Sequence, residues 1–123
     1  MSKPSKDWTD TEIYQTIGQI TRQFGILECV DCVKAIRRWS RQQGISGKIL
    51  RIRTQYGEDY ILSERLEKLG IEESITINGQ HFGVEVRNLI FDNLSEQGLS
   101  REKWIQDFQC HSGQFVLTEI DSW

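Results

Sequence analysis

Apolar residues recur at helical spacing near the start of the chain and predict a first amphipathic helix. It is expected from Thr9 to about Phe24, since Thr9 and Glu12 have the spacing of a capping box and Gly25 is a common helix stop. The apolar positions that share one face are Ile13, Ile17, Ile20 and Phe24. This face is expected to pack on the rest of the protein.

A second amphipathic helix is predicted from about Cys29 to Gln43, ending at Gly44. Its apolar face carries Cys32, Ile36 and Trp39. The opposite side is a basic stripe that consists of Lys34, Arg37, Arg38 and Arg41. Charged residues opposite a buried face are typical of a solvated helix surface.

From Gly47 onward the pattern changes to the period of two that is typical of strands. Strands are predicted at 49–54 and 60–62, with a short helix near 63–69. Ser74–Ile77 is predicted to be a strand that turns at Asn78-Gly79 into a further strand, His81–Val86. Three more elements are expected: a strand at Leu89–Asp92, a helix at Arg101–Phe108 and a strand at Phe115–Ile120.

Helices first and a strand meander afterwards favour an α+β domain with its N-terminal helices packed on a small antiparallel β-sheet. The 123 residues are expected to form one domain over 9–123, after a disordered N-terminal tail over 1–8. The formal net charge of −3 argues against a surface built for nucleic acid. No apolar run is long enough for a membrane span or a secretory signal. Three cysteines, an odd number, favour a reducing compartment, so the protein is expected to be cytoplasmic as produced.

The main candidate for chemistry is an ordered trio: Cys29, His81 and Asp92. Cys29 falls at a helix N-terminus, where free N–H groups and the helix dipole favour a thiolate. A thiolate that attacks a carbonyl needs a base and a group that orients the base. A hairpin turning at Arg87-Asn88 would pair Val86 with Leu89 and bring Asp92 within reach of His81.

Each member of the trio also has a plainer interpretation. Cysteine is often a buried core residue, the histidine could lie in a surface loop, and aspartate is common in turns. Cys32 lies one turn further into the helix and suits a packed thiol, so Cys29 is preferred as the nucleophile. Gln23, six residues before Cys29, is a weaker candidate for an amide donor to the oxyanion.

At these residues the chain resembles the papain-fold toxin families of bacterial polymorphic toxin systems, and especially papain fold toxin 2. The likeness extends over about residues 9–110. The segments that carry it are Glu28–Ile36 with its Glu-Cys-x-x-Cys, Gly47–Ile49, Asn78–Val86 with Asn-Gly-x-His-x-Gly-Val-Glu-Val, Phe91–Asn93, and Gly98–Trp104 with Gly-Leu-x-Arg-Glu-x-Trp.

This resemblance implies a papain-like cysteine-enzyme fold and a Cys-His-Asp triad. Carried over residue by residue, Cys29 is the nucleophile, His81 the base and Asp92 its orienter. The implied activity is that of a peptidase or a protein-glutamine deamidase that needs no cofactor. A protein substrate, a cognate immunity protein and delivery to a target cell are implied as well.

Three other classes of function compete with this interpretation. Cys29, Cys32, Cys110 and His111 could bind structural zinc, although the adjacency of the last two disfavours one shared ion. The basic stripe, joined by Arg51 and Arg53, could bind nucleic acid, but a solvated helix face explains it more simply. A non-catalytic interaction module is the third alternative. Zinc content and thiol reactivity distinguish these classes.

Overall fold

Two helices precede a four-stranded antiparallel sheet, and short elements cover its second face. The computed structural model describes residues 7–120. The elements are α1 (Asp10–Thr21), α2 (Cys29–Gln42), β1 (Lys48–Thr54), β2 (Leu62–Ser63), α3 (Glu64–Glu67), β3 (Gln80–Val86), β4 (Leu89–Phe91), α4 (Arg101–Gln106), β5 (Phe108–Gln109) and β6 (Phe115–Ile120). The predicted α+β class, with N-terminal helices on a small antiparallel sheet, is confirmed.

The main sheet has the strand order β4-β3-β1-β6, and β2 with β5 forms a separate two-stranded ladder. In β1, successive side chains alternate between the two faces of the sheet. Ile49 therefore packs in the cluster beneath α1 and α2, while Leu50 and Ile52 pack with Trp104 and Phe108 on the other face. The sheet thus separates two hydrophobic clusters.

The capping box predicts the start of α1 correctly. Thr9 accepts a hydrogen bond from the Glu12 backbone, and the Glu12 side chain accepts one from the Thr9 backbone. The helix ends at Thr21, before the predicted Phe24, and residues 22 and 23 form a turn. Ile13 and Ile17 are fully buried, as the spacing of the apolar residues requires.

The predicted strand over 74–77 is wrong, and with it the hairpin that would have turned at Asn78-Gly79. Polar side chains bind their own backbone in this segment: Thr76 Oγ1 and Asn78 Oδ1 both accept from the backbone N–H of Gln80. Such local bonds compete with strand pairing. Gly79 adopts a φ of 72°, and β3 pairs with β1 instead.

The predicted N-terminal tail lies mostly outside the described residues. Trp8, the last residue assigned to that tail, packs edge-on against Trp39 at 5.1 Å between ring centroids. Its indole N–H also donates to Gln43. Within residues 7–120, no helix has the length and apolar character that crossing a membrane requires.

Candidate active site

Cys29 is the first residue of α2, at a helix end that no side chain caps. Glu28 occupies the cap position, but its carboxylate accepts from the Gly25 backbone N–H instead. The first-turn N–H groups of α2 are consequently free of a side-chain acceptor. Cys29 lies at the wall of a cleft of about 140 Å³ and is 7% exposed.

The β3–β4 hairpin places His81 and Asp92 in contact with each other. Val86 pairs with Leu89 and Val84 with Phe91, which is the register that the turn at Arg87-Asn88 predicted. Because β4 ends at Phe91, Asp92 is the next residue beyond the strand and faces His81. The distance from His81 Nε2 to Asp92 Oδ2 is 2.9 Å, and both side chains are buried.

The second ring nitrogen of His81, Nδ1, is buried and makes no hydrogen bond. The His81 ring nevertheless interacts with the Cys29 thiol. Burial by itself raises the pKa of the Cys29 thiol, but the His81 ring and the backbone N–H of Phe82 stabilise the thiolate more strongly. The pKa of Cys29 is therefore lowered from its usual 9.0.

The same contacts raise the proton affinity of His81. Burial alone would lower the pKa of the ring, yet the hydrogen bond to Asp92 and the interaction with Cys29 raise it from 6.5 to about 9. A lowered thiol pKa and a raised imidazole pKa together favour a thiolate–imidazolium pair at neutral pH.

Asp92 is held by more donors than a simple hydrogen bond to histidine would need. Burial raises the pKa of its carboxyl, but the Arg65 guanidinium and His81 outweigh burial and hold the pKa well below 3.8. Arg65 contacts both carboxylate oxygens, at 3.0 and 2.8 Å. The Trp104 indole N–H donates to Oδ2 at 2.9 Å, and the Leu94 backbone N–H donates to Oδ1. Asp92 is thus favoured in its charged form and held by hydrogen bonds from four residues.

Arg65 is a residue of the candidate site that the sequence did not indicate. Its Nε donates to Asp107 Oδ2 at 2.9 Å, and the Arg65 backbone N–H donates to Asp107 Oδ1 at 2.8 Å. Asp107 in turn accepts from the Ser63 hydroxyl. Arg65 is 27 positions from Asp92 and 42 from Asp107, so no local pattern connects the three.

Two aromatic side chains enclose the His81 ring. Trp104 lies 6.0 Å and Phe108 5.2 Å from it between ring centroids, and both belong to the second hydrophobic cluster. Low polarity around the histidine strengthens its bond to Asp92. Gly83 permits this packing, because a Cβ there would lie 3.0 Å from the Trp104 ring and 2.9 Å from Ile90.

The two other sequence candidates lie apart from this contact. Cys32 is fully buried, and burial, followed by the charge of Asp92, raises its pKa to about 12. Gln23 is exposed, and the cleft beside Cys29 is lined by other side chains. Asn78 and Gln80 are the side-chain amides that line this cleft.

The papain fold toxin 2 family model matches residues 12–109. The chain belongs to the papain fold toxin 2 family. No curated protein and no solved structure matches the chain closely enough to be reported as similar. The matched segment contains Cys29, His81 and Asp92, together with Arg65 and Trp104.

The structure shows no site for the zinc alternative among residues 7–120. No group of three or more histidine, cysteine or acidic residues there could hold a metal ion. Cys110 Sγ instead lies 3.5 Å from the Ser112 hydroxyl. Cys29, Cys32 and Cys110 are free thiols.

Proposed function

We propose that this member of the papain fold toxin 2 family is a cysteine amidohydrolase with Cys29 as nucleophile, His81 as general acid and base, and Asp92 as the residue that orients His81. The observation that supports the proposal is that His81, bonded to Asp92 at 2.9 Å, also interacts with the Cys29 thiol. The pKa of the thiol is lowered while that of the imidazole is raised to about 9. Functional sites are where such opposed shifts concentrate.

The mechanism begins with the Cys29 thiolate and the His81 imidazolium. The sulfur attacks an amide carbonyl carbon, and the free N–H groups at the start of α2 stabilise the oxyanion that forms. The C–N bond then breaks as His81 gives its proton to the departing nitrogen, leaving a thioester on Cys29. His81 takes a proton from water, and the resulting hydroxide attacks the thioester and breaks its C–S bond. A carboxylic acid is released, and the Cys29 thiolate beside the His81 imidazolium is regenerated.

Peptide cleavage and glutamine deamidation share each of these steps and differ in the amide that enters the cleft. A backbone amide releases an amine, and a glutamine side chain releases ammonia. The cleft of about 140 Å³ is narrow and opens beside Leu27, Asn78 and Gln80. It suits one extended side chain or strand of a protein substrate.

The test is the rate of Cys29 alkylation by iodoacetamide as a function of pH, in the wild type and in His81→Ala. We expect the wild-type thiol to react well below pH 8. In His81→Ala, this reactivity at low pH should be lost. Cys32→Ala is the matched control and should react as the wild type does. A Cys29 that titrates like a free thiol in the wild type would overturn the proposal.

Substrate class is tested separately. Glutamine-containing peptides are incubated with the wild type and with Cys29→Ala, and mass spectrometry distinguishes deamidation, which adds about 1 Da, from cleavage. The proposed toxin role predicts growth arrest when the wild type is expressed in bacterial cytoplasm and normal growth with Cys29→Ala. Equal growth inhibition by both proteins would argue against catalytic toxicity.

A further inference from the structure

The positive charges of this protein divide into paired and unpaired groups. Among residues 7–120, six basic side chains contact a carboxylate: Arg22, Lys48, Arg65, Lys68, Arg87 and Arg101. Among residues 7–120, six others with no carboxylate within 4.0 Å form one surface, which we call the basic face: Lys34, Arg37, Arg38 and Arg41 on α2, with Arg51 and Arg53 on β1. Lys103 on α4 is also unpaired and lies outside this face.

A groove runs along the basic face. Its volume is about 360 Å³, and its lining includes the four basic side chains of α2 and the apolar Ile49 of β1. Arg51 and Arg53 lie on the same side of β1 as Ile49, because side chains alternate along a strand. α2 itself packs on β3, so its basic side is open toward β1.

Two guanidinium groups in this face have buried donors with no acceptor. The Nε atoms of Arg37 and Arg51 make no hydrogen bond, although both are shielded from solvent. Buried donors normally have partners, and an unpaired one destabilises the protein. The basic face therefore carries donors that the described residues leave without an acceptor.

The basic face is continuous with the cleft at Cys29. Val30 lines that cleft, and residues at positions 34, 37, 38 and 41 follow it along one side of α2 at spacings of three and four. On the sheet, Gln80 and Phe82 line the cleft and pair with Arg53 and Arg51. A polypeptide that leaves the cleft along α2 therefore passes directly over the basic side chains.

We propose that the basic face binds an acidic segment of the protein substrate, adjacent to the amide that reacts with Cys29. This inference rests on the proposed function and specifies its substrate. At a helical rise of about 1.5 Å per residue, Lys34 to Arg41 lie about 8 to 18 Å along α2 from Cys29. An extended chain advances about 3.3 Å per residue, so the acidic residues lie about two to five positions from the reacting one. Nucleic acid is disfavoured by the net charge of −3.

Binding is measured first without catalysis, in the Cys29→Ser variant. The probes are fluorescein-labelled decapeptides with a central glutamine and four glutamates on its N-terminal or C-terminal side, and matched peptides with serine in place of glutamate. Fluorescence anisotropy at low salt should show one acidic peptide binding at least about tenfold more tightly than its serine counterpart. Raising the salt to about 300 mM should weaken this binding.

The variants then locate the site. Arg37→Glu/Arg41→Glu should abolish the preference for glutamate, and Lys103→Glu, which reverses an unpaired charge outside the basic face, should keep it. Circular dichroism checks folding, and Arg38→Glu/Arg41→Glu, at two exposed positions, replaces the first variant if it is unfolded. With the cysteine restored, kcat/KM for the acidic peptide should fall while the rate of Cys29 alkylation is unchanged.

The outcomes separate this inference from the proposed function. Equal binding of glutamate and serine peptides overturns the acidic-substrate inference, even if Cys29 is reactive. A preference for glutamate that survives Arg37→Glu/Arg41→Glu overturns the assignment to the basic face. A single-stranded DNA oligonucleotide that binds more tightly than any peptide replaces the inference with a nucleic-acid surface. An unreactive Cys29 with intact, arginine-dependent peptide binding overturns the proposed function and supports the acidic docking surface.

Discussion

Replacing Asp92 by asparagine tests the electrostatic interactions of the candidate site at the residue with the most hydrogen-bond donors. The carboxylate accepts hydrogen bonds from His81, Arg65, Trp104 and the Leu94 backbone. Asparagine keeps the shape but loses the charge and one acceptor oxygen. His81 then remains buried beside aromatic rings without the interaction that most favours its protonated form.

The expected magnitude follows from the pKa of His81. It lies at about 9 against a usual 6.5, a difference of 2.5, which corresponds to about 3.4 kcal/mol at 1.36 kcal/mol per unit. Asp92 is the first of the causes that raise it, and Cys29 supplies the rest. We therefore expect Asp92→Asn to lower the ratio of thiolate–imidazolium pair to neutral pair by about 10- to 100-fold.

The assay is iodoacetamide alkylation of Cys29 across pH 5 to 10, with folding checked by circular dichroism at each pH. Asp107→Asn is the matched control, since it also removes a buried carboxylate from Arg65 but makes no contact with His81. In Asp92→Asn the rate of alkylation below pH 8 should be strongly reduced, whereas Asp107→Asn should keep that rate. Equal loss in both variants would mean that destabilised packing around Arg65 slows the thiol, and our electrostatic reasoning would be refuted.

Three further predictions follow from the same contacts. Cys32→Ala should leave one fast-reacting thiol near α2 and Cys29→Ala should leave none, as judged by mass spectrometry of labelled peptides, because burial raises the pKa of Cys32 to about 12. Gly83→Ala should lower the free energy of unfolding in urea by about 1–3 kcal/mol, because the new methyl group meets Ile90 and Trp104; an unchanged urea midpoint would contradict this packing. The wild type should lose stability as the pH falls below about 4, since unfolded Asp92 takes up a proton near 3.8 while the folded carboxylate, whose pKa is far lower, does not. Urea unfolding at pH 7 and pH 3 should show a smaller loss for Asp92→Asn than for the wild type.

Local signals in the sequence were sufficient for much of the architecture. The capping box at Thr9, the helix that begins at Cys29 and the turn at Arg87-Asn88 each depend on residues close together in the chain. Because the turn sets the register of β3 and β4, it also brought Asp92 beside His81. That contact was therefore predictable without knowledge of the tertiary fold.

The tertiary structure decided what surrounds these residues. The composition of Ser74–Ile77 predicts a strand, yet β3 pairs with β1 instead. Polar groups of the loop form local hydrogen bonds. Arg65 joins Asp92 to Asp107 across long separations in sequence, and no periodicity encodes such a bridge. The sequence determined most of the elements and the order of the trio, because propensity and turn geometry act locally. Only the tertiary structure determined the pKa shifts within the trio, because burial and long-range ion pairs cause them.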